Sequence, residues 1–131
     1  MIALDTNVLI RFLVEDDPVQ SRRAKALLQR AIDSGEPCFV PEVVICEVVW
    51  VLETSYKVVR PEIAAVLGQL LLVQHLTFPS TERLRKALGA FTSGRGDFAD
   101  YLIREVALDS GCESVATFDR ALLREAGFVS P

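Results

Sequence analysis

Residues 1–7, MIALDTN, place a short apolar run directly before a carboxylate. Residues 2–4 are typical of a buried strand, and the helix that follows has Asn7 as a suitable capping residue. Because Thr6 and Asn7 both offer capping oxygens, a carboxylate is not needed for that purpose. Asp5 is therefore expected to have another role at the end of the strand, and metal binding is the alternative to capping.

Short apolar strands and helices alternate along the rest of the chain. Strands are predicted at 2–4, 38–40, 75–78 and 114–118, with a last short one at 128–130. Helices are predicted at 7–14, 18–34, 42–55, 61–73, 80–91, 98–110 and, briefly, 119–126. This alternation predicts one α/β domain over residues 1–131, with helices on both faces of a central parallel sheet of four or five short strands.

Composition narrows the class of protein. The net charge of −4 argues against nucleic-acid binding through bulk charge, although a local basic patch is compatible with it. The mean hydropathy of +0.30 is high, which suggests that a second copy or a partner covers part of the surface. The three cysteines, Cys38, Cys46 and Cys112, are expected to be buried, reduced thiols of a cytoplasmic protein. No apolar run approaches the roughly 20 residues of a membrane span.

Two aspartates directly follow predicted strands. Asp5 follows the first strand, and Asp119 follows SVATF at 114–118. Ligands of open parallel sheets bind beyond the carboxyl ends of the strands, where both side chains would lie. Helix capping is the alternative role for Asp119, because aspartate is a favoured N-cap residue.

Glu47 lies within the apolar stretch EVVICEVVWVL. Its neighbours three and four positions away on a helix are all apolar, namely Val43, Val44, Trp50 and Val51. An ionised glutamate on such a face is costly unless a cation pairs with it. A solvated rim position, or a salt bridge to a distant arginine, is the alternative.

Asp97 and Asp100, in DFADYLI, are three residues apart and share one face of a predicted helix. Asp97 is also suited to be the N-cap, whereas Asp100 is expected close to the sheet, on the side that carries Ile103 and Ala107. Carboxylates that converge from separate segments repel one another unless a cation is present. Oxygen ligands without histidine or cysteine favour Mg²⁺ or Mn²⁺, and the one histidine, His75, is expected to be structural.

Together, LDTN, ICEVVWVL, DFADYLI and VATFDR resemble the motifs of the PIN-domain family, and within it the VapC-type toxins of toxin–antitoxin pairs. The resemblance covers the whole chain in order. It implies a three-layer α/β/α sandwich and a catalytic metal site made of Asp5, Glu47, Asp100 and Asp119. Asp97 would be an additional acidic residue, and Thr6, Asn7 and Thr117 would support the site. Glu42 is the alternative to Glu47 if the helix is shifted.

The activity that the resemblance implies is cleavage of RNA phosphodiester bonds by a water molecule activated by Mg²⁺ or Mn²⁺. The implied partners are a cognate antitoxin that silences the enzyme and a second copy in a homodimer. Phosphate contacts would come from cations near the acidic residues, and the candidates are Arg95, Arg11, Arg104 and Arg120.

Two other classes of protein share part of this pattern. A haloacid-dehalogenase phosphatase also starts with a strand that ends in aspartate, but it requires a second aspartate where this chain has Asn7. An inactive PIN-type scaffold, whose acidic groove binds a basic partner segment, would have the same four acidic residues as the nuclease.

Overall fold

The structure is a computed structural model that describes all 131 residues. The five strands contain two residues each: β1 (Ile2–Ala3), β2 (Cys38–Phe39), β3 (Leu76–Thr77), β4 (Val115–Ala116) and β5 (Phe128–Val129). The six helices are α1 (Thr6–Leu13), α2 (Pro18–Ser34), α3 (Glu42–Thr54), α4 (Arg60–Leu70), α5 (Thr81–Ser93) and α6 (Phe98–Asp109). Every predicted strand and each of the six long helices is present, and the predicted α/β class is confirmed.

The strands form two parallel sheets rather than one. The first sheet has the order β1-β2-β3, and the second pairs β4 with β5. Because each strand has two residues, two paired strands share few backbone hydrogen bonds. No backbone hydrogen bond of this kind joins β1 to β4. As a result β1 is an edge strand, and the prediction that residues 2–4 are buried is correct only for Leu4, since Ile2 is 58% exposed.

Helix α3 packs at the centre of the apolar core. Its buried side chains lie on one face and belong to a cluster of 26 buried residues drawn from every helix and most strands. Helix α2 ends where it was predicted to end, at Gly35, whose φ of 73° lies in the left-handed region that glycine adopts without strain. The predicted helix at 119–126 is instead a 3₁₀ turn at Leu122–Arg124.

The cysteines are reduced but differ in burial. Cys38 is buried, Cys46 is half-buried and Cys112 is exposed. The prediction of burial is wrong for Cys112, because the residue lies in the turn after α6 rather than in an apolar element. None of the helices is both long and apolar enough to cross a membrane.

Candidate active site

Asp5 follows β1 and is the N-cap of α1. Its Oδ1 accepts a hydrogen bond of 3.0 Å from the backbone N–H of Val8. The expectation that Asn7 would cap this helix, so that Asp5 need not, is therefore wrong: Asp5 directly precedes the first helical residue, Thr6, and reaches the N3 amide, whereas Asn7 is already inside the first turn. The other oxygen of Asp5 has no hydrogen-bond partner in the protein, so capping and ligand binding are compatible here.

Asp100 lies in the first turn of α6. Its Oδ2 accepts a 2.9 Å hydrogen bond from the backbone N–H of Asp97, the N-cap residue, which fixes the orientation of the carboxylate. Asp100 is half-buried, whereas Ile103, which was expected on the same side of the helix, is 53% exposed. The face of α6 that packs inward instead carries Phe98, Tyr101 and Leu102.

Asp119 follows β4 and shapes the turn after it. Its backbone N–H donates to Thr117 Oγ1 at 3.0 Å, and its Oδ1 accepts a 2.8 Å bond from the N–H of Ala121. Thr117 therefore contacts Asp119 directly, while Asp119 Oδ2 makes no hydrogen bond with the protein. Like Asp5 and Asp100, Asp119 has one oxygen fixed locally and one oxygen free.

Burial and the surrounding carboxylates raise the pKa of Asp100. Burial is the largest cause, and the charges of Asp97, Asp119 and Glu125 add to it, although the hydrogen bond from Asp97 N–H opposes the shift. Burial and the charge of Asp97 likewise raise the pKa of Glu53 on α3. Sequence reasoning missed Glu53 and Glu125, because only the fold brings α3 and the C-terminal turn toward the start of α6.

Glu47 is exposed and makes no hydrogen bond or ion pair. The predicted desolvation is wrong because two of its apolar neighbours, Val43 and Trp50, are themselves 63% and 64% exposed on the same face of α3. Glu42, the alternative, binds Arg83 through a two-pronged ion pair that includes a 2.8 Å bond from Arg83 Nε. Of these two candidates, Glu47 is therefore the one whose carboxylate is free, and Glu53, nearer the end of α3, makes no hydrogen bond or ion pair either.

The charges of Asp97 and Asp119 act on Asp100, whereas neither Asp5 nor Glu47 is among the groups that affect it. No three His, Cys, Asp or Glu side chains are arranged as a set that holds a metal ion. The chemistry of the donors nevertheless fits Mg²⁺ or Mn²⁺, since all are hard oxygen ligands and their mutual repulsion is not offset by a paired cation. The assignment of individual ligands stays a prediction.

Two of the four candidate RNA-binding arginines are committed to contacts within the protein. Arg11 bonds to Gln20, Asp16 and the hydroxyl of Tyr56, which ties α1 to the start of α2. Arg104 donates to the carbonyl of Ala126 and lies over two aromatic rings. Neither guanidinium is free to bind phosphate, so these two predictions are not supported.

Arg95 and Arg120 are exposed and unpaired, as a phosphate-binding role requires. Hydrogen bonds hold the backbone on either side of Arg95. The N–H of Gly94 donates to the carbonyl of Ala90 at 2.7 Å. Arg60 donates to the carbonyl of Gly96 at 2.6 Å, and the N–H of Gly96 donates to the hydroxyl of Tyr101 at 2.8 Å. The side chain of Arg95 thus projects from a fixed backbone.

Asp5 also lines a groove between α1 and α2. The groove has a volume of about 460 Å³, and Asn7, Arg23 and Arg30 contribute to its wall. Thr6 is half-buried in the first turn of α1. The polar residues beside Asp5 therefore face a space that is open to a ligand or to a partner segment.

Comparison with known proteins agrees with this arrangement. The family model described as the PIN domain matches residues 2–128 of the chain. The chain is also 32% identical, over 129 residues, to a VapC ribonuclease of Aquifex aeolicus (strain VF5), and the match spans 98% of this chain and 93% of that protein. The family match covers nearly the whole chain, and the chain belongs to the PIN domain family.

Proposed function

We propose that this protein is the ribonuclease toxin of a toxin–antitoxin pair and that it hydrolyses RNA with the help of Mg²⁺ or Mn²⁺. Its likeness to a VapC ribonuclease along nearly the whole chain supports the reaction and the substrate. The observation that carries the site is that Asp5, Asp100 and Asp119 each have one oxygen fixed by a local hydrogen bond and one oxygen free.

The free oxygens of these three aspartates would hold the cation, with Asp97 as a weaker fourth. When bound, the cation would act as a Lewis acid and neutralise charge on the phosphate. Glu47, which is exposed and unpaired, would be a further ligand or would accept the proton of the attacking water, as would Asp100. Thr117 would hold the backbone at Asp119, and Thr6 and Asn7 would flank Asp5.

A cognate antitoxin and a homodimer are part of this proposal. Several large apolar side chains are more than half exposed, among them Ile2, Trp50, Ile103 and Phe118. Trp50, which is 64% exposed, is available to a partner. Apolar surface of this kind supports a covered face without distinguishing a second copy from an antitoxin.

The substitution Asp5→Asn tests the catalytic role without removing the helix cap. The asparagine oxygen can still accept the bond from Val8 N–H, so the free energy of unfolding should change by less than about 0.5 kcal/mol. RNA cleavage in Mn²⁺ should fall at least about 100-fold, because a metal-binding charge is lost.

The matched control is Asp17→Asn. Asp17 caps α2 through the same kind of 3.0 Å bond, to Gln20 N–H, and lies outside the candidate site. It should leave cleavage unchanged. If Asp5→Asn cleaves RNA as fast as the wild-type protein, Asp5 has no catalytic role. If the wild-type protein does not cleave RNA in Mn²⁺ any more than in EDTA, the inactive scaffold is the better description.

A further inference from the structure

A third arginine, not singled out by the sequence, joins Arg95 and Arg120. These three side chains line one cavity of about 500 Å³ between the segment before α6 and the 3₁₀ turn, and the third is Arg124. Glu125 is the one acidic residue in the wall, so the lining carries two more positive charges than negative charges.

The three guanidinium groups have no partner in the protein. None takes part in a side-chain hydrogen bond or an ion pair, which they share with exposed arginines elsewhere such as Arg85, whereas Arg11, Arg60, Arg83 and Arg104 each have a partner in the protein. Three like charges that share one cavity repel one another, and an anion in the cavity would relieve that repulsion. The planar guanidinium is suited to a phosphate, which it can bind through two hydrogen bonds.

The backbone around the cavity is held in place. The hydroxyl of Tyr101, a fully buried residue, donates to the carboxylate of Glu125, with 2.7 Å to the nearer oxygen, and accepts the N–H of Gly96. Gly94 approaches so closely that a Cβ there would lie 1.9 Å from the same hydroxyl. The carboxylate in the wall thus accepts a hydrogen bond from Tyr101 and pairs with none of the three arginines.

The cavity borders the acidic cluster. Arg95 is two residues before Asp97, and Arg120 directly follows Asp119. The charge of Glu125, in the cavity wall, also acts on Asp100. A strand of RNA whose scissile phosphate lies at the acidic cluster would therefore have a neighbouring phosphate within reach of the cavity.

We propose that Arg95, Arg120 and Arg124 form a subsite for a backbone phosphate of RNA, next to the phosphate that is cleaved. This inference rests on the proposed ribonuclease function. Arg124 is the best residue to test, since it is exposed, unpaired and farthest in sequence from the candidate metal ligands of the adjoining segments.

The experiment measures how salt affects binding of a fluorescein-labelled single-stranded RNA of mixed sequence, by anisotropy in EDTA. Arg124→Ala should weaken binding about tenfold at low salt, since one charge-assisted hydrogen bond is lost. The slope of the logarithm of the RNA association constant against the logarithm of the salt concentration should become shallower by about 0.7 for each phosphate contact removed. In the double variant Arg95→Ala with Arg124→Ala, the change in slope should be twice as large. Arg124→Lys retains the charge and should keep the slope.

The control is Arg85→Ala, which removes an exposed and unpaired arginine on α5 outside the cavity. Cleavage by the wild-type protein in Mn²⁺ is measured in parallel, and thermal melting verifies that each variant folds. If wild-type protein cleaves the RNA but Arg124→Ala and the double variant keep the wild-type slope, the subsite is refuted and the ribonuclease stands. If wild-type protein neither binds nor cleaves RNA, both proposals fail together.

Discussion

Replacing Gly94 by alanine should destabilise the protein even though no unusual backbone angle requires glycine there. Its φ is −93°, which any residue adopts. The obstacle is steric: an added Cβ would lie 1.9 Å from Tyr101 Oη and 2.5 Å from Glu125 Oε1. Tyr101 is fully buried and its hydroxyl is held from two sides, so it has no free space into which to move.

The expected loss combines two effects. Overpacking costs about 1–3 kcal/mol, and a weakened hydrogen bond between Tyr101 and the charged Glu125 costs about 1.5–3 kcal/mol. Because relaxation relieves part of the strain, Gly94→Ala should lower the free energy of unfolding by about 2–5 kcal/mol. Gly96→Ala should cost less, since the nearest atom to its Cβ, at 2.6 Å, is a terminal methyl of Leu122 that can shift.

Gly89→Ala is the matched control. Gly89 lies within α5, and nothing comes within 4 Å of an added Cβ. This substitution should therefore stabilise the protein by about 0.5–1 kcal/mol, through the higher helix propensity of alanine. Urea denaturation followed by circular dichroism measures all three variants. A Gly94→Ala variant as stable as wild type would refute the packing of Tyr101 and Glu125 against this segment.

Three further predictions concern the same segment, the thiols and the metal. Arg60→Ala removes two hydrogen bonds, to the carbonyls of Phe91 and Gly96, and a contact at 3.9 Å with the Phe91 ring. Hydrogen exchange of the backbone amides at 94–97 should therefore accelerate, and the free energy of unfolding should fall by about 2–3 kcal/mol. Unchanged amide exchange would contradict this role of Arg60. In a thiol-labelling assay of the folded protein, the exposed Cys112 should react within the dead time of mixing. Cys38 should react only when the protein unfolds, because its thiol is buried and burial raises its pKa. EDTA should abolish RNA cleavage and Mn²⁺ should restore it, and cleavage that persists in EDTA would exclude a metal-dependent mechanism.

The order of strands and helices was predictable because apolar runs and turn residues mark each element locally. The same pattern predicted that Asp100 and Asp119 lie toward one end of the sheet, and the charge of Asp119 does act on Asp100. The separation of β4–β5 from the first sheet was not predictable, because it depends on hydrogen bonds between strands of two residues each.

Side-chain environments were harder to predict than elements. The exposure of Glu47 could not be inferred from its apolar neighbours, since Trp50 on the same face is itself exposed. Arg11 was a plausible phosphate ligand until the fold brought Tyr56, 45 residues away, within 3.1 Å of its guanidinium. Arg124 had no local signal at all, because the cavity exists only once the 3₁₀ turn packs beside the segment before α6.

Calorimetric titration with Mn²⁺ tests the central claim most directly, because it detects the cation at the carboxylates without depending on the identity of the RNA. Wild-type protein should bind Mn²⁺ saturably, and Asp100→Asn or Asp119→Asn, each of which retains its local hydrogen bond, should weaken binding at least about tenfold. Asp17→Asn should bind as tightly as wild type. Absence of binding to wild-type protein, or equal affinity in all variants, would contradict a metal site built from these residues.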